Sequence, residues 1–218
     1  MNHFKKTIYL IVFYGFSSAY AGSYEDFFVA VKRDDAPTIQ ALLQRGFDPN
    51  TPDPTGQHGL FLALKEPSPN AAEALINWPK TEVNSLDGKG ESALMLAALK
   101  NQQDLAEKLI KRGADVNKTG WTPLHYAATG GHLAIISLLL ENSAYIDAES
   151  PNGTTPLMMA AMYGTTAAVR LLLEEGADPQ LKNQLGLTAL QFAQRGNRPD
   201  AAEAIAAAIR VKRPAGTW

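Results

Sequence analysis

The side chains best suited to acid–base chemistry or metal binding are four histidines, His3, His58, His125 and His132. No two of them stand at the H-x-x-x-H spacing that sets a pair of imidazoles on one helix face, so a zinc site of that kind is not expected. Cysteine is absent, which removes disulfides, thiolate-held zinc or iron–sulfur groups, a thiol nucleophile and a lipid-modified N-terminal cysteine. There is no G-x-S-x-G elbow for a serine nucleophile. Gly88-Lys89-Gly90-Glu91-Ser92-Ala93 fits the letters of the dinucleotide fingerprint G-x-G-x-x-[G/A]. That motif binds pyrophosphate only between a strand and a helix of a parallel sheet, with an acidic residue about 20 positions on. Here it reads as a turn before a helix. Glu174-Glu175 falls on a polar helix face, where solvated charge is the simple explanation. A hydrolase whose active site is dispersed over distant segments is the remaining catalytic alternative. It requires a pocket with paired carboxylates or a Ser–His contact, and no such pocket is expected. The chain therefore reads as a non-enzyme with no catalytic, metal-binding or cofactor-binding residues.

The elements that would have to position any site belong to an ordinary globular composition. The chain has 218 residues and a mass of 23.5 kDa, with 45% hydrophobic and 19% charged residues. Lys and Arg number 20 against 22 Asp and Glu, too even a balance for a protein that clamps phosphates with a basic surface. Nucleic acid is not an expected partner. Met1–Lys6 is basic, Thr7–Phe16 is a short apolar run, and Ser17-Ser18-Ala19-Tyr20-Ala21-Gly22 follows. These are the three parts of a secretory signal peptide over 1–21, with cleavage expected after Ala21. An uncleaved anchor or a buried first strand is the alternative. Ten apolar residues fall short of the ~20 that span a bilayer, and no later segment comes closer, so stable membrane insertion after cleavage is not expected. Cleavage lowers the basic count from 20 to 18 against 22 acids. The expected location is the periplasm or the secreted fraction.

A repeated unit fills most of the remaining chain. From Leu124 in Thr122-Pro123-Leu124-His125, a matching leucine recurs 33 residues later in Thr155-Pro156-Leu157-Met158 and after another 33 in Thr188-Ala189-Leu190-Gln191. Upstream, Ser92-Ala93-Leu94-Met95 stands 30 residues before. Nineteen residues after three of these leucines come Gly113-Ala114-Asp115-Val116-Asn117, Ser143-Ala144-Tyr145-Ile146-Asp147 and Gly176-Ala177-Asp178-Pro179. The same tail appears at Gly46-Phe47-Asp48-Pro49-Asn50. The period and the T-P-L-H-x-A signature resemble the ankyrin repeat. That resemblance implies an all-α fold: an ankyrin-repeat solenoid of about six helix-turn-helix units joined by short β-turn fingers. The expected domain covers 22–210, with units near 24–50, 51–84, 85–117, 118–147, 148–180 and 181–210. Residues 211–218 form a tail.

The residues support this frame on their own. Thr before Pro suits a helix start, because the hydroxyl accepts a free first-turn N–H and Pro at the first helical position loses nothing. Ala127-Ala128 and Ala160-Ala161 keep the first helices thin. Nine residues after each Thr or Ser come Asn101, Gly131, Gly164 and Asn197, with Asp34 in the first unit, all tolerant of left-handed backbone. Second helices such as Ile135–Leu140 and Val169–Leu173 carry broad apolar faces that only a stacked neighbour can bury. The first unit, with Lys32, Arg33, Asp34 and Asp35, and the alanine-rich last unit read as caps. Two departures stand out. Pro67 and Pro69 predict a longer, irregular turn over Lys65–Asn70, and the finger before Thr122 has four residues where that before Thr155 has seven. Asn117-Lys118-Thr119 and Asn152-Gly153-Thr154 are acceptor sequons on finger loops.

Ankyrin proteins generally receive partners on the concave face, made of finger tips and the exposed side of the first helices. Carried over position by position, this implies a partner-binding set of Glu91, Leu99, Lys100, Trp121, Met162, Tyr163, Leu187 and Arg195. Large apolar side chains with a nearby Arg are what protein hot spots are rich in. The alternative is that Trp121, Leu99 and Met162 pack within the chain. The expected function is a non-catalytic interaction module that binds another protein, itself a monomer when alone. The alternative function is an immunity-type protein that neutralises a secreted toxin.

Overall fold

The structure, a computed structural model, describes residues 22–212; the leader reading of 1–21 and residues 213–218 lie outside them. Helices occupy residues 22–32 (α1), Ala36–Gln44 (α2), Gly59–Lys65 (α3), Pro69–Asn77 (α4), Ala93–Leu99 (α5) and Gln103–Lys111 (α6). Pro123–Gly130 (α7), Leu133–Glu141 (α8), Pro156–Met162 (α9), Thr166–Glu174 (α10), Ala189–Arg195 (α11) and Pro199–Lys212 (α12) follow. The only β pairings among the described residues are isolated bridges, Pro52 with His58 and Leu86 with Ser92. The fold is all-α, built from short helix pairs. It divides into two compact units, one up to Glu82 and one from Val83.

In the first unit, α1 lies so close to α3 that a Cβ on Gly59 would come within 2.7 Å of the Phe27 ring. Phe27 in turn stacks on Phe47, with centroids 4.5 Å apart. The turn after α1 is locked to α4: Asp34, at φ 56, accepts the N–H of Ala71 and the Nδ2 of Asn70, each at 2.7 Å. The turn between α3 and α4 is one residue longer than that between α7 and α8 and no longer than the rest. Three residues, Glu66 to Ser68, separate the helices, as three separate α5 from α6. Pro69 opens α4 at its first position, where a missing N–H costs nothing. Glu66 is extended, as a residue before proline prefers.

The second unit is a two-layer stack. First helices α5, α7, α9 and α11 pack in sequence order, and second helices α6, α8, α10 and α12 pack behind them. Leu94, Leu124, Leu157, Ile135, Leu139 and Leu172 are fully buried between the layers, each such side chain being worth about 1.5–3 kcal/mol. The helix starts follow the repeated polar residue, with differences. Ser92 Oγ and Thr155 Oγ1 accept the N–H of Met95 and Met158 at 3.2 and 3.4 Å. At Thr122 the hydroxyl also meets the His125 ring, at 2.9 Å.

Left-handed backbone occurs at Asn101, Gly131 and Asn197, at φ 57, 70 and 53. Gly164 departs from the expectation, because it is not left-handed. Its small size is required by contact: a Cβ there would stand 2.3 Å from the carbonyl oxygen of Ala128 on α7. α12 runs on to Lys212, two residues into the expected tail, since Val211 and Lys212 carry no helix-breaking feature.

Fingers close by one recurring device. Asp87 accepts the N–H of Lys89 and Glu91 at 2.9 and 3.0 Å, and Asn183 accepts those of Leu185 and Leu187, both at 3.0 Å. Backbone bonds pair Asp87 with Glu91, Ser150 with Thr154, and Asn183 with Leu187. The dinucleotide-like stretch is one of these turns, with Gly90 at φ 76 and no strand before it. The short loop over residues 118–121 has no such pairing and bends through Gly120 at φ 87. Asn117 binds the next loop with both ends of its amide, donating to Ser143 O at 2.7 Å and accepting from Tyr145 N–H at 2.8 Å.

Candidate functional site

All eight residues expected to meet a partner lie in the second unit. Glu91, Trp121 and Leu187 sit just before first helices, at the finger bases. Leu99, Met162 and Arg195 end three first helices, and Lys100 and Tyr163 are the next residues. Because α5, α7, α9 and α11 are neighbours in that order, equal repeat positions form rows across them. Tyr163 is 56% and Leu99 36% exposed, while Trp121, Met162 and Leu187 are half-buried and Lys100 and Arg195 exposed.

The stack adds a row that sequence reasoning missed. Tyr126, Met159 and Phe192 are all half-buried, each three residues before Thr129, Met162 and Arg195. Three residues apart on a helix is one face. The signal was present in the 33-residue spacing of these three large side chains, but burial could not be told from exposure without the neighbouring helices.

Two expected members are tied into the fold. Glu91 Oε1 accepts the hydroxyl of Tyr126 at 3.0 Å. Burial first, then that bond and the charges of Glu91 and Asp87, push the Tyr126 phenol well above its usual pKa. Trp121 lies edge-on to the His125 ring, with centroids 5.2 Å apart. Its face is thus part packing and part open surface. The helix ends are clamped from behind: His132 Nε2 binds Leu99 O at 3.0 Å, and Arg198 donates to Gly164 O.

His125 is fully buried. Its Nδ1 faces the Thr122 N–H at 3.1 Å, which can only donate, so Nε2 carries the proton and donates to Thr154 O at 2.9 Å. Burial holds its pKa down, from 6.5 to about 4, against the opposing pull of the Thr154 and Ala148 carbonyls. A sequestered neutral imidazole with no access to a substrate is a structural bridge.

Carboxylates do gather in one place. A groove of about 700 Å³ between α10 and α12 is lined by Glu174, Asp200 and Glu203 with Arg170 and several alanines. The second-helix faces are polar by pattern and simply converge there. The lining contains no Ser or His, and among the described residues no group of three His, Asp or Glu could hold a metal ion.

Stacked helix pairs of this kind are the architecture of the repeat class of protein-interaction folds. The family model for ankyrin repeats matches residues 27–119, 60–150, 108–183 and 145–214, and the chain belongs to the ankyrin-repeat family. It is 33% identical over 109 residues to an ankyrin repeat and SAM domain-containing protein of Rattus norvegicus, covering 48% of this chain and 12% of that protein. It is 35% identical over 100 residues to a glycerophosphocholine phosphodiesterase of Candida albicans, covering 43% of this chain and 9% of that one. The chain thus spans a small part of these relatives. Among solved structures, it is similar to the immunity protein in complex with a predatory endopeptidase of Bdellovibrio bacteriovorus. The TM-score is 0.71 at 31% identity, over 84% of this chain and 97% of that one.

Proposed function

We propose that this chain is an exported, non-catalytic binding module that docks one partner protein against the first-helix face of its second unit. The observation that carries the reading is the row of Leu99, Met162 and Tyr163, with Trp121 and Leu187 at the finger bases, left partly open where solvent favours charge. Glu91, Lys100 and Arg195 form its polar rim, the arrangement in which a desolvated centre supplies most binding energy. Export to the periplasm rests on the basic, apolar and small-residue segments of the first 22 residues.

The test uses the mature chain as bait in a periplasmic extract. Trp121→Ala combined with Tyr163→Ala should abolish capture of the partner while the far-ultraviolet circular dichroism is unchanged. Equal capture by the double variant refutes the reading.

A second reading has its own support. A solved structure similar over 84% of this chain and 97% of its own is an immunity protein bound to an endopeptidase, which favours a partner that is a toxic peptidase held inactive by this chain. A peptidase gene beside this one, and loss of that enzyme's activity on mixing with the purified chain, are the expected results. A neighbouring gene for an oxidative-stress enzyme would instead favour a supporting role.

A further inference from the structure

His125 stands at a joint that no other first helix has. At the equivalent positions Met95, Met158 and Gln191 each take the N–H of the helix-capping residue, at 3.3, 3.5 and 2.8 Å. His125 does this with Nδ1 and also reaches forward with Nε2 to the carbonyl of Thr154 in the next finger. Trp121 leans on the same ring, and the loop before it lacks the backbone pairing that closes the other fingers. One imidazole therefore holds three things together: the start of α7, the finger over residues 150–154 and the indole of Trp121.

We infer that His125 is a pH-operated latch on the partner face: protonating its ring takes the acceptor away from the Thr122 N–H and loosens Trp121 and the loop over residues 118–121. The inference rests on the proposed docking reading only for its consequence, weaker partner binding in acid. Chemically the step is simple. A proton added at Nδ1 occupies the lone pair that accepts the Thr122 N–H; the Thr122 hydroxyl, 2.9 Å from the same nitrogen, can turn to accept that proton, but the backbone N–H is left facing a donor in a dry site. Among the described residues no charge nearby offsets this, and His132, in the turn after α7, is held on Leu99 O. α5 and α9, packed on either side of α7, contain no ionisable residue. Tyr126 is engaged with Glu91, and α8 carries only Glu141 in its last turn. In the loop above, Asp147 accepts the N–H of Asp178 at 3.1 Å, while Tyr145 and Glu149 are exposed. In the loop before α7, Asp115 is exposed, Lys118 is turned to Thr119 O, and Arg112 belongs to the end of α6.

The experiment needs no partner, so its failure is distinct from failure of the docking reading. Amide hydrogen exchange of the full chain is followed from pH 7 to pH 5 and corrected for the intrinsic rate. With the ring pKa at about 4 when closed and 6.5 when open, the open fraction at Thr122 should rise about twentyfold over that range. The amides of Ser92, Thr155 and Thr188, whose partners do not titrate, should keep their protection. The fluorine resonance of Trp121 in 5-fluorotryptophan-labelled protein should move with the Thr122 amide, and that of Trp78 should not. His125→Gln retains a cap acceptor, as Gln191 shows at Thr188, and should flatten both responses. His125→Met, which copies the arrangement at Met95 and Met158, serves if the glutamine variant does not fold. An unchanged response in either variant, loss of all four amides together, or a Thr122 amide indifferent to pH in the natural chain overturns the latch.

Discussion

Gly164→Ala separates two explanations of a glycine that the sequence alone confuses. If left-handed backbone were the reason, an added methyl would cost about 1 kcal/mol of strain. The structure gives a different reason. The new Cβ would lie 2.3 Å from Ala128 O and 3.0 Å from both Cα and O of Ala160. Ordinary contact between carbon and oxygen needs about 3.3 Å, so roughly 1 Å of separation must be found. All three obstacles are backbone atoms, and no side-chain rotation can supply it. α7 and α9 would have to part, loosening the buried Leu124 and Leu157 between them. Overpacking of this kind costs about 1–3 kcal/mol, against a gain of about 0.4–1 kcal/mol from a stiffer unfolded chain. The expected net loss is about 1.3 kcal/mol, read as a lower urea midpoint at unchanged slope. Gly176→Ala is the control, with φ 106 and nothing within 4 Å; it should cost about 1 kcal/mol. A Gly164→Ala variant within about 0.5 kcal/mol of the natural chain, or less damaged than Gly176→Ala, would refute the close-approach argument.

Asn117→Ala leaves Ser143 O and Tyr145 N–H without their partner, and should cost about 1–2 kcal/mol in urea unfolding. Tyr126→Phe removes the bond to Glu91, with an expected loss of about 1 kcal/mol and a phenol titration curve lacking its highest component. Unfolding followed against pH should show the His125 linkage. The folded ring titrates at about 4 and the unfolded one at 6.5, so the unfolded chain binds the extra proton between them. Stability is complete above 6.5 and falls as pH drops towards 4, by about 3 kcal/mol in all. His125→Gln should lack that slope, as judged from urea midpoints at about pH 7 and pH 4.5.

The repeat frame was legible because its signals are local. Ser92, Thr122, Thr155 and Thr188 each set a helix start within four residues. The apolar spacing of Ile135–Leu140 or Val169–Leu173 needs only one helix to be read, and the family followed from the 33-residue period. Other features were settled by packing and left no readable local mark. The Pro67–Pro69 turn proved short because Pro69 became the first residue of α4. The Thr122 hydroxyl met the His125 ring, and Gly164 was fixed by a carbonyl on the preceding first helix. Tyr126, Met159 and Phe192 joined the candidate face only once α5, α7, α9 and α11 stood side by side. A sequence states what each short segment prefers, and here that determined the helix pairs and their period. Which side chains face solvent, which glycines yield to a neighbour and which histidine becomes a joint were decided by stacking, because each depends on atoms that a different repeat supplies.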